Sequence, residues 1–318
     1  MSGLRVIYGA GSAGSWGSET EGPKVADVLQ EFGVDKIDTA RIYLKSEERI
    51  GQRGVAAKFK IDTKHPGGFA RTTNATKENV LEVADISFGL LKTDKVEVYY
   101  IHAPDRKTPL EQTLEGINEL HKQGRFEHFG LSNFLASEVE EVIRVAKAKG
   151  FIVPTVYQGN YSAIARRQEE ELFPTLRKHG ISFNAYSPLA GGFLTKTVKD
   201  IEEGVGRFDR DTPLGDLYST LYNKPTFLAA LKKWEDISAK SGVPKAELAY
   251  RWVSYHSSLK PDLGDGIIIG ARNVDQLRKT LTGLKRGPLP GEVVKEINGV
   301  WDTIKEEAGL DNFNVNDV

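Results

Sequence analysis

The stretch TKENVLEVADISFGLLKTDKVEVYYIH, residues 76–102, contains one complete helix-to-strand unit. Thr76 and Asn79 have the spacing of a side-chain cap, so a helix is predicted over residues 76–91. Residues 96–102 are mostly β-branched and aromatic, which predicts a strand, and they end at the titratable side chain of His102. A polar group at the end of a buried strand is typical of the catalytic edge of parallel α/β proteins.

The same alternation continues on both sides of this unit. Further strands are predicted at residues 4–8, 36–38, 55–61, 126–131, 155–158, 181–186 and 266–269. Helices are predicted at residues 23–32, 46–51, 110–123, 137–149, 167–179, 244–257 and 274–284, with Ser137 capping the helix that it begins. Eight βα units predict one α/β domain over residues 1–318, a (β/α)8 TIM barrel. The alternative is an open doubly wound sheet, which needs fewer strands and a switch point.

Two stretches interrupt the alternation. Residues 190–224 are polar and Gly-rich without a clean period, which predicts a long loop after the seventh strand. After residue 284, a C-terminal helix is predicted over residues 292–307, followed by a polar tail. A loop of this length inside a compact domain indicates a functional flap or local disorder.

Composition narrows the function. The 43 Lys+Arg residues balance 44 Asp+Glu residues, so the net charge gives no reason to expect nucleic acid or an anionic membrane as partner. Cysteine is absent, which excludes disulfides, thiolate nucleophiles and cysteine metal sites. No signal-peptide or membrane-spanning run is visible, so we expect a cytoplasmic protein. No cluster of carboxylates and histidines suggests a metal.

Residues 9–14, GAGSAG, match the dinucleotide-binding pattern G-x-G-x-x-G directly after a predicted strand. In that motif a helix begins at once, because the pyrophosphate lies at the helix N-terminus. Here no helical pattern begins before Pro23. We therefore expect a loop at the barrel mouth rather than a Rossmann site.

Asp38, Tyr43, Lys64 and His102 lie at or near the ends of the second, third and fourth predicted strands. A barrel brings such strand ends together. This set suits the donation of a proton to a carbonyl oxygen as a hydride reaches its carbon. Tyr43 would be the general acid, Lys64 the cation that stabilises its phenolate, Asp38 the partner of Lys64, and His102 a second donor to the oxygen.

Each of these residues also has a structural interpretation. Asp38 suits a turn cap, Tyr43 a rim aromatic, Lys64 a solvated loop cation, and His102 a turn after a core strand. Lys58 and Lys60 lie in the same predicted strand as competing lysines, but Lys64 is favoured because it falls at the strand's end. The joint placement of all four residues favours the catalytic interpretation.

Three motifs carry a family resemblance: KIDTARIY at residues 36–43, KIDTK at residues 60–64 and YYIHAPD at residues 99–105. They resemble the aldo-keto reductase family, and most closely its aflatoxin-aldehyde-reductase branch, over nearly the whole chain. The resemblance implies that Asp38, Tyr43, Lys64 and His102 take the roles of the family's catalytic tetrad. Asp62, in the second motif, is a candidate for contact with a cofactor's ribose or a simple turn residue.

By the same resemblance the cofactor is NADPH. Its candidate binding residues are Ser132, Asn133, Gln158, Tyr186, Ser187, Pro188, Leu189, Gly191, Lys196, Arg207, Gly270, Arg272 and Gln276. The side chains of Ser132, Asn133 and Gln158 suit the nicotinamide carboxamide. Tyr186 would stack on the nicotinamide ring, and the backbone amides after it would bind pyrophosphate.

Arg272 precedes a predicted helix, which is a favourable place for an anion. The resemblance assigns it the adenosine 2′-phosphate, and it assigns the adenine to Gln276. The chain departs from the family at Thr280, where Asn is usual. It also departs at Lys196, which begins Lys-Thr-Val where Gly-Lys-Tyr is usual.

The leading hypothesis is an NADPH-dependent reductase of aldehydes. The alternative is a regulatory protein of the same fold that senses its cofactor, like a potassium-channel β subunit. The segments at residues 158–161 and 170–174 favour the reductase branch. A hydrolase or isomerase on the same barrel would need a catalytic cysteine or a cluster of metal ligands, and neither is visible in the sequence.

Trp16, Phe69 and the tail from Asn312 are candidates for the substrate pocket by position alone. Aromatic residues at the rim favour a small-molecule carbonyl partner, either an aromatic or a dicarbonyl aldehyde. Members of the branch are often dimeric, so the resemblance also implies a homodimer.

Overall fold

The computed structural model describes residues 3–11, 21–70 and 72–315. Within these residues, eight parallel strands close into a barrel in the order β1 to β8, and the pairing of Arg5 with Gly266 completes the ring. The strands are β1 Arg5–Gly9, β2 Lys36–Asp38, β3 Lys60–His65, β4 Val96–Ile101, β5 Phe126–Ser132, β6 Val156–Asn160, β7 Ser182–Tyr186 and β8 Gly266–Ile269. The predicted (β/α)8 TIM barrel is confirmed.

Helices cover the outside of this barrel. They are α1 Glu21–Glu31, α2 Ser46–Gln52, α3 Lys77–Leu91, α4 Leu110–Lys122, α5 Ala136–Lys149, α6 Gln168–Glu171, α7 Phe173–Lys178, α8 Val198–Glu202, α9 Pro213–Tyr222, α10 Pro225–Ser241, α11 Lys245–His256, α12 Val274–Leu284 and α13 Gly291–Asp302. Short 3-10 helices lie at Val55–Ala57, Gly67–Phe69, Ala190–Thr195, Gly206–Phe208, Pro261–Leu263 and Lys305–Glu307. In the described residues no helix has the length and apolarity needed to cross a membrane.

The first unit of the sequence shows how the outer layer forms. The Thr76 hydroxyl accepts the backbone N–H of Asn79 at 3.3 Å, which caps α3 as predicted and contributes about 1 kcal/mol. Val80, Ala84 and Phe88 follow at intervals of four residues and are buried against the strands. The helix therefore presents one apolar stripe to the barrel.

Strand alternation divides the buried residues into two groups. Tyr99 points outward, with its ring centroid 6.0 Å from that of Phe88 and 6.0 Å from that of Phe126. Tyr100 belongs with Val98 and Val156 to a separate small cluster on the other face of the sheet. Because successive side chains on a strand face opposite sides, this second face is the barrel interior.

The third strand begins later in the chain than predicted. The expected strand over residues 55–61 is wrong, because Val55–Ala57 is a 3-10 helix and β3 runs over Lys60–His65. Its charged residues Asp62 and Lys64 are wholly buried in ion pairs, so apolar periodicity does not mark this strand. Lys64 therefore lies within β3 rather than after it, while Lys60 is exposed and pairs with Glu97.

Two helix predictions also need correction. The helix expected over residues 167–179 is broken at Leu172, where φ is −125°, into α6 and α7. The helix expected from Ser137 begins one residue earlier, so Ser137 does not cap it. The Glu138 carboxylate accepts the backbone N–H of Leu135 at 2.8 Å instead.

The long insertion after β7 is present, but its expected lack of regular structure is wrong. It contains the short helices α8 and α9, and the long helix α10, which was not predicted, follows. Aromatic packing explains this order, since Phe193 lies 5.4 Å from Tyr222 and 6.4 Å from Phe227 between ring centroids. The final helix is also shorter than predicted, because α13 ends at Asp302.

Candidate active site

Asp38 and Lys64 form an ion pair at the carboxyl end of the barrel interior. The Lys64 ammonium donates to both carboxylate oxygens of Asp38, at 2.6 and 2.7 Å, and to the carbonyl oxygen of Thr39 at 2.7 Å. The two side chains are 0% and 4% exposed. With three acceptors arranged around it, the ammonium is held as a cation in one position.

Gln158 extends this pair across the barrel. From the middle of β6, its side-chain amide donates to Oδ1 of Asp38 at 2.8 Å. Gln158, a candidate for contact with the nicotinamide carboxamide, therefore hydrogen-bonds Asp38 in this structure. Asp38 accepts from both Lys64 and Gln158, and this satisfies a buried charge that would otherwise be costly.

Tyr43 lies on the tight connection between β2 and α2. The hydroxyl of Thr39 donates to that of Ser46 at 2.7 Å, and Ser46 donates to the carbonyl oxygen of Ala10 at 3.0 Å. The next residue, Glu47, is buried and accepts from Thr63 at 2.6 Å and from Arg41 at 2.8 Å. These bonds tie both ends of the Tyr43 segment to β1 and β3.

The Tyr43 ring lies beside the buried ammonium, with Nζ of Lys64 5.2 Å from its centroid. Burial first, and then the negative charge of Asp38, raises the pKa of Tyr43, while Arg207 opposes the rise. The phenol is therefore protonated at neutral pH. In the described part of the chain its hydroxyl makes no hydrogen bond, so it is free to donate one.

His102 completes the group at the end of β4. Its imidazole meets Tyr43 edge to face, with ring centroids 5.5 Å apart. Burial, followed by the positive charge of Lys64, lowers the pKa of His102 well below its ordinary value of 6.5. The imidazole is consequently neutral and donates from one nitrogen. Within the described residues its buried Nδ1 has no hydrogen-bond partner.

Asn133 connects His102 to the end of β7. Its side-chain amide donates to the carbonyl oxygen of His102 at 2.8 Å and to the hydroxyl of Ser132 at 3.1 Å. The Tyr186 hydroxyl donates to the amide oxygen of Asn133 at 2.8 Å. Asn133 has a φ of +60°, a left-handed conformation that turns its side chain back over the strand ends. Three of the residues proposed for nicotinamide contact are thus assembled together.

The chain turns sharply after Tyr186. Ser187 and Ala190 have φ values of 54° and 50°, and Gly191 follows with 68°. A Cβ at Gly191 would lie 2.2 Å from the ring of Tyr218, so glycine is required there. This turn contains the predicted Ser187, Pro188, Leu189 and Gly191 and presents backbone at the barrel rim.

A group of basic side chains surrounds Gly206. A Cβ built there would lie 3.3 Å from Nη2 of Arg272 and 3.8 Å from Nζ of Lys196. The neighbouring Arg207 is exposed, and its charge acts on the pKa of Tyr43. Among the described residues none of these three cations forms an ion pair. Unpaired cations that converge in this way suit an anionic ligand such as a phosphate.

Arg272 precedes α12 and follows Gly270. The Asn273 side chain accepts the backbone N–H of Gln276 at 2.9 Å, which caps the helix. The Gln276 side-chain oxygen accepts the backbone N–H of Arg272 at 3.0 Å. The side chain of Gln276, which the resemblance assigns to the adenine, therefore already forms a hydrogen bond at the N-terminus of its own helix.

Aromatic side chains lie on one side of His102. The Phe69 ring lies 5.1 Å from the imidazole of His102, and Phe313 from the C-terminal segment lies 5.0 Å from Phe69. The structure thus places Phe69 and Phe313 of the tail next to His102; their contact with a substrate stays a prediction. Trp16, the other proposed pocket residue, lies outside the described residues.

Other polar residues near the site are not among the sequence candidates. Glu47 anchors the Tyr43 segment, and Lys36 pairs with Asp62 beneath Asp38 at 3.1 Å. Neither proposed role of Asp62, as a ribose contact or a turn residue, is right, because its side chain is fully buried within β3. The signal was present: Lys36 precedes Asp38, and Asp62 precedes Lys64, by two residues, the spacing of one strand face.

Comparison with known proteins agrees with this geometry. Residues 5–302 match the aldo/keto reductase family model. The chain is 41% identical over 315 residues to the oxidoreductase sirO of Leptosphaeria maculans, covering 95% of each chain. It is 36% identical to human aldo-keto reductase family 7 member A3 and 35% identical to human aflatoxin B1 aldehyde reductase member 4, covering 92% of this chain and 93% of each relative. The chain belongs to the aldo/keto reductase family.

Proposed function

We propose that this protein is an NADPH-dependent reductase that converts aldehydes to alcohols. The observation that carries the proposal is the position of Lys64. Its ammonium is held by both oxygens of Asp38 and lies beside the ring of a protonated Tyr43. A cation fixed next to a phenol is what proton donation from tyrosine to a carbonyl oxygen requires.

A bound nicotinamide cofactor supplies the hydride that attacks the carbonyl carbon. The Tyr43 hydroxyl donates its proton to the carbonyl oxygen, and the Lys64 ammonium stabilises the phenolate that remains. Neutral His102 donates a hydrogen bond to the same oxygen and fixes its direction. Asp38 keeps Lys64 charged and in place. These preorganised donors reduce the barrier where negative charge develops on the oxygen.

The preference for NADPH is supported by the cations around Gly206. Arg272 and Lys196 both reach the space beside Gly206, and among the described residues neither forms an ion pair within 4 Å; Arg207 follows Gly206 in sequence. NADH would leave part of this positive charge uncompensated, whereas the additional phosphate of NADPH would neutralise it.

The substrate class is supported by the aromatic contacts of His102. Phe69 and Phe313 offer flat apolar surface beside the proposed proton donors, which suits an aromatic aldehyde. Similar proteins named as aflatoxin B1 aldehyde reductases support the same class. A homodimeric state belongs to the proposal through the family alone, and a cytoplasmic location is carried over from the expectation based on the sequence.

The test is the oxidation of NADPH with 4-nitrobenzaldehyde, followed by absorbance. Tyr43→Phe should lower kcat by about 10²-fold or more while NADPH binding, measured by fluorescence, is unchanged. Tyr255→Phe is the matched control, since that hydroxyl donates to the carbonyl oxygen of Leu284 among the outer helices. A native protein that binds NADPH but reduces no aldehyde in a broad panel would favour the cofactor-sensing alternative.

A further inference from the structure

A buried ion pair lies beneath Asp38 and Lys64 and has no part in the proposed mechanism. Nζ of Lys36 is 3.1 Å from Oδ1 of Asp62, and the two side chains are 2% and 0% exposed. Among the described residues no well-aligned hydrogen bond reaches either oxygen of Asp62. Such a pair stabilises a fold poorly, because its desolvation offsets its attraction. Its position suggests another purpose.

The strand register sets the two ion pairs side by side. Asp38 on β2 is the direct partner of Asp62 on β3. Lys36 lies two residues before Asp38, and Lys64 two residues after Asp62, so all four side chains share the interior face. Asp38 therefore has one buried lysine on each side of it along the barrel axis.

Lys36 is able to compete for Asp38. Residues two apart on a strand are about 6.6 Å apart, which is within the reach of an extended lysine side chain. Asp62 gives Lys36 a carboxylate on the neighbouring strand, at 3.1 Å from its Nζ. Without that carboxylate the Lys36 ammonium could turn to Asp38 on its own strand, and Asp38 would then be shared between two cations.

We propose that Asp62 is a positioning residue that holds Lys36 away from Asp38, so that Asp38 gives both oxygens to Lys64. It acts through Asp38 and touches neither substrate nor cofactor. The inference rests on the proposed function, since it concerns the same Asp38–Lys64 pair.

The charged and titratable groups around Asp62 are Lys36 and Asp38 on β2, Lys64 on β3 and Tyr100 on β4. Burial raises the pKa of Asp62 to about 7, an effect that Lys36 opposes and Asp38 reinforces. Replacement of Lys36 by an apolar residue removes the opposing charge. Asp62 then binds a proton and does not compete for Lys64.

These relationships predict an asymmetric set of variants at a pH above the pKa of Asp62, where its carboxylate holds Lys36. Lys36→Met should keep kcat within about threefold of the native value, because no competing cation remains. Asp62→Asn should lower kcat by about tenfold or more with an unchanged KM for NADPH, because Lys36 then turns to Asp38. The double variant K36M/D62N should recover to within about threefold of the native enzyme. Asp265→Asn, which removes the buried carboxylate paired with Arg177, is the control for a purely structural loss.

Equal loss of kcat in both single variants, without recovery in the double variant, would overturn the proposal, and so would a native kcat in Asp62→Asn. If Asp62→Asn does not fold, the pH dependence of kcat in the native protein and in Lys36→Met provides a second test. Native kcat should fall as the pH drops through the pKa of Asp62, because protonated Asp62 releases Lys36. Lys36→Met should lack this acid limb, and a limb retained at the same pH would contradict the inference.

Failure of the proposed function is distinguishable from failure of this inference. If the native protein reduces no aldehyde, the reductase proposal fails. A crystal structure of Asp62→Asn still decides the inference: Nζ of Lys36 within hydrogen-bond distance of Asp38 supports it, and an unmoved Nζ overturns it.

Discussion

The imidazole of His102 meets the phenol ring of Tyr43 edge to face at an interplanar angle of 79°. Phe69 contacts the same imidazole at 76°, so His102 is fixed between two aromatic rings. This arrangement desolvates the imidazole, which explains its lowered pKa together with the charge of Lys64. His102 is thus available as a neutral hydrogen-bond donor.

His102→Phe should lower kcat/KM for an aldehyde by about 10²-fold or more, because it removes the donor to the carbonyl oxygen. His102→Gln, which keeps a neutral donor, should lose less. NMR of the native protein should show no titration of the His102 ring between about pH 5 and 8. A ring that titrates in this range would contradict the neutral-donor role.

Arg272→Ala should raise the KM for NADPH by about tenfold or more and leave the KM for NADH nearly unchanged. The reason is that this guanidinium lies near Lys196 with no acidic partner among the described residues. Arg278→Ala is the matched control, since Arg278 lies on α12 and pairs with Glu31 at 2.6 Å. A parallel loss for both cofactors would show that Arg272 does not distinguish them.

Much of the barrel was predictable from local pattern. β2 and β8 were predicted with their observed bounds: an apolar run marks β8, and β2 is marked by Ile37 between Lys36 and the candidate Asp38. β3 was misplaced because its charged residues are satisfied by partners on a neighbouring strand, which no local period reveals. Helix α10 was missed, although Pro225 at its start and Gly242 at its end are ordinary boundary signals.

In the candidate site, too, some features could be predicted from the sequence and others could not. Asp38, Tyr43, Lys64 and His102 were identifiable because each stands at or near a strand end. The bond from Gln158 to Asp38 joins residues 120 positions apart across the barrel, and the sequence contains no signal for it. Such contacts depend on register and barrel closure and become visible only in three dimensions.

Glu47→Gln should reduce kcat by about three- to tenfold with little change in the KM for NADPH. The buried carboxylate binds Thr63 and Arg41 and so fixes the segment that carries Tyr43. A neutral amide would weaken both bonds and also cost about 1–3 kcal/mol of stability. Glu48→Gln is the control, because its carboxylate accepts from Gln52 within α2. Equal kcat values in the two variants would show that Tyr43 does not depend on Glu47.

Asn314→Ala should raise the KM for an aromatic aldehyde by about five- to tenfold and change the KM for NADPH less. The Asn314 amide donates to the carbonyl oxygen of Asn133 at 3.1 Å and accepts from Arg106 at 2.7 Å, which holds Phe313 against Phe69. The KM for a small aliphatic aldehyde should rise less, because such a substrate makes fewer contacts with Phe69 and Phe313. Equal losses for both substrates would indicate general damage to the site.

His65→Gln should reduce the loss of stability on acidification. Burial lowers the pKa of His65 to about 4, with Nδ1 accepting from the backbone of Gly67 at 3.0 Å. The unfolded chain binds a proton near the ordinary value of 6.5, so this contribution to stability is full above about pH 6.5 and is lost as the pH falls towards 4. The shift corresponds to about 3 kcal/mol over that window.

Urea unfolding of the native protein and of His65→Gln at about pH 7 and pH 5 measures this contribution. The native protein should lose more stability between the two pH values than the variant, even if the variant is less stable at neutral pH. A lower stability of the variant at neutral pH is expected because the longer, more flexible amide must be ordered to replace the bond from Gly67 and the contact with Asn79 at 3.1 Å. An identical decrease in the two proteins would mean that His65 is not the group whose protonation opposes folding.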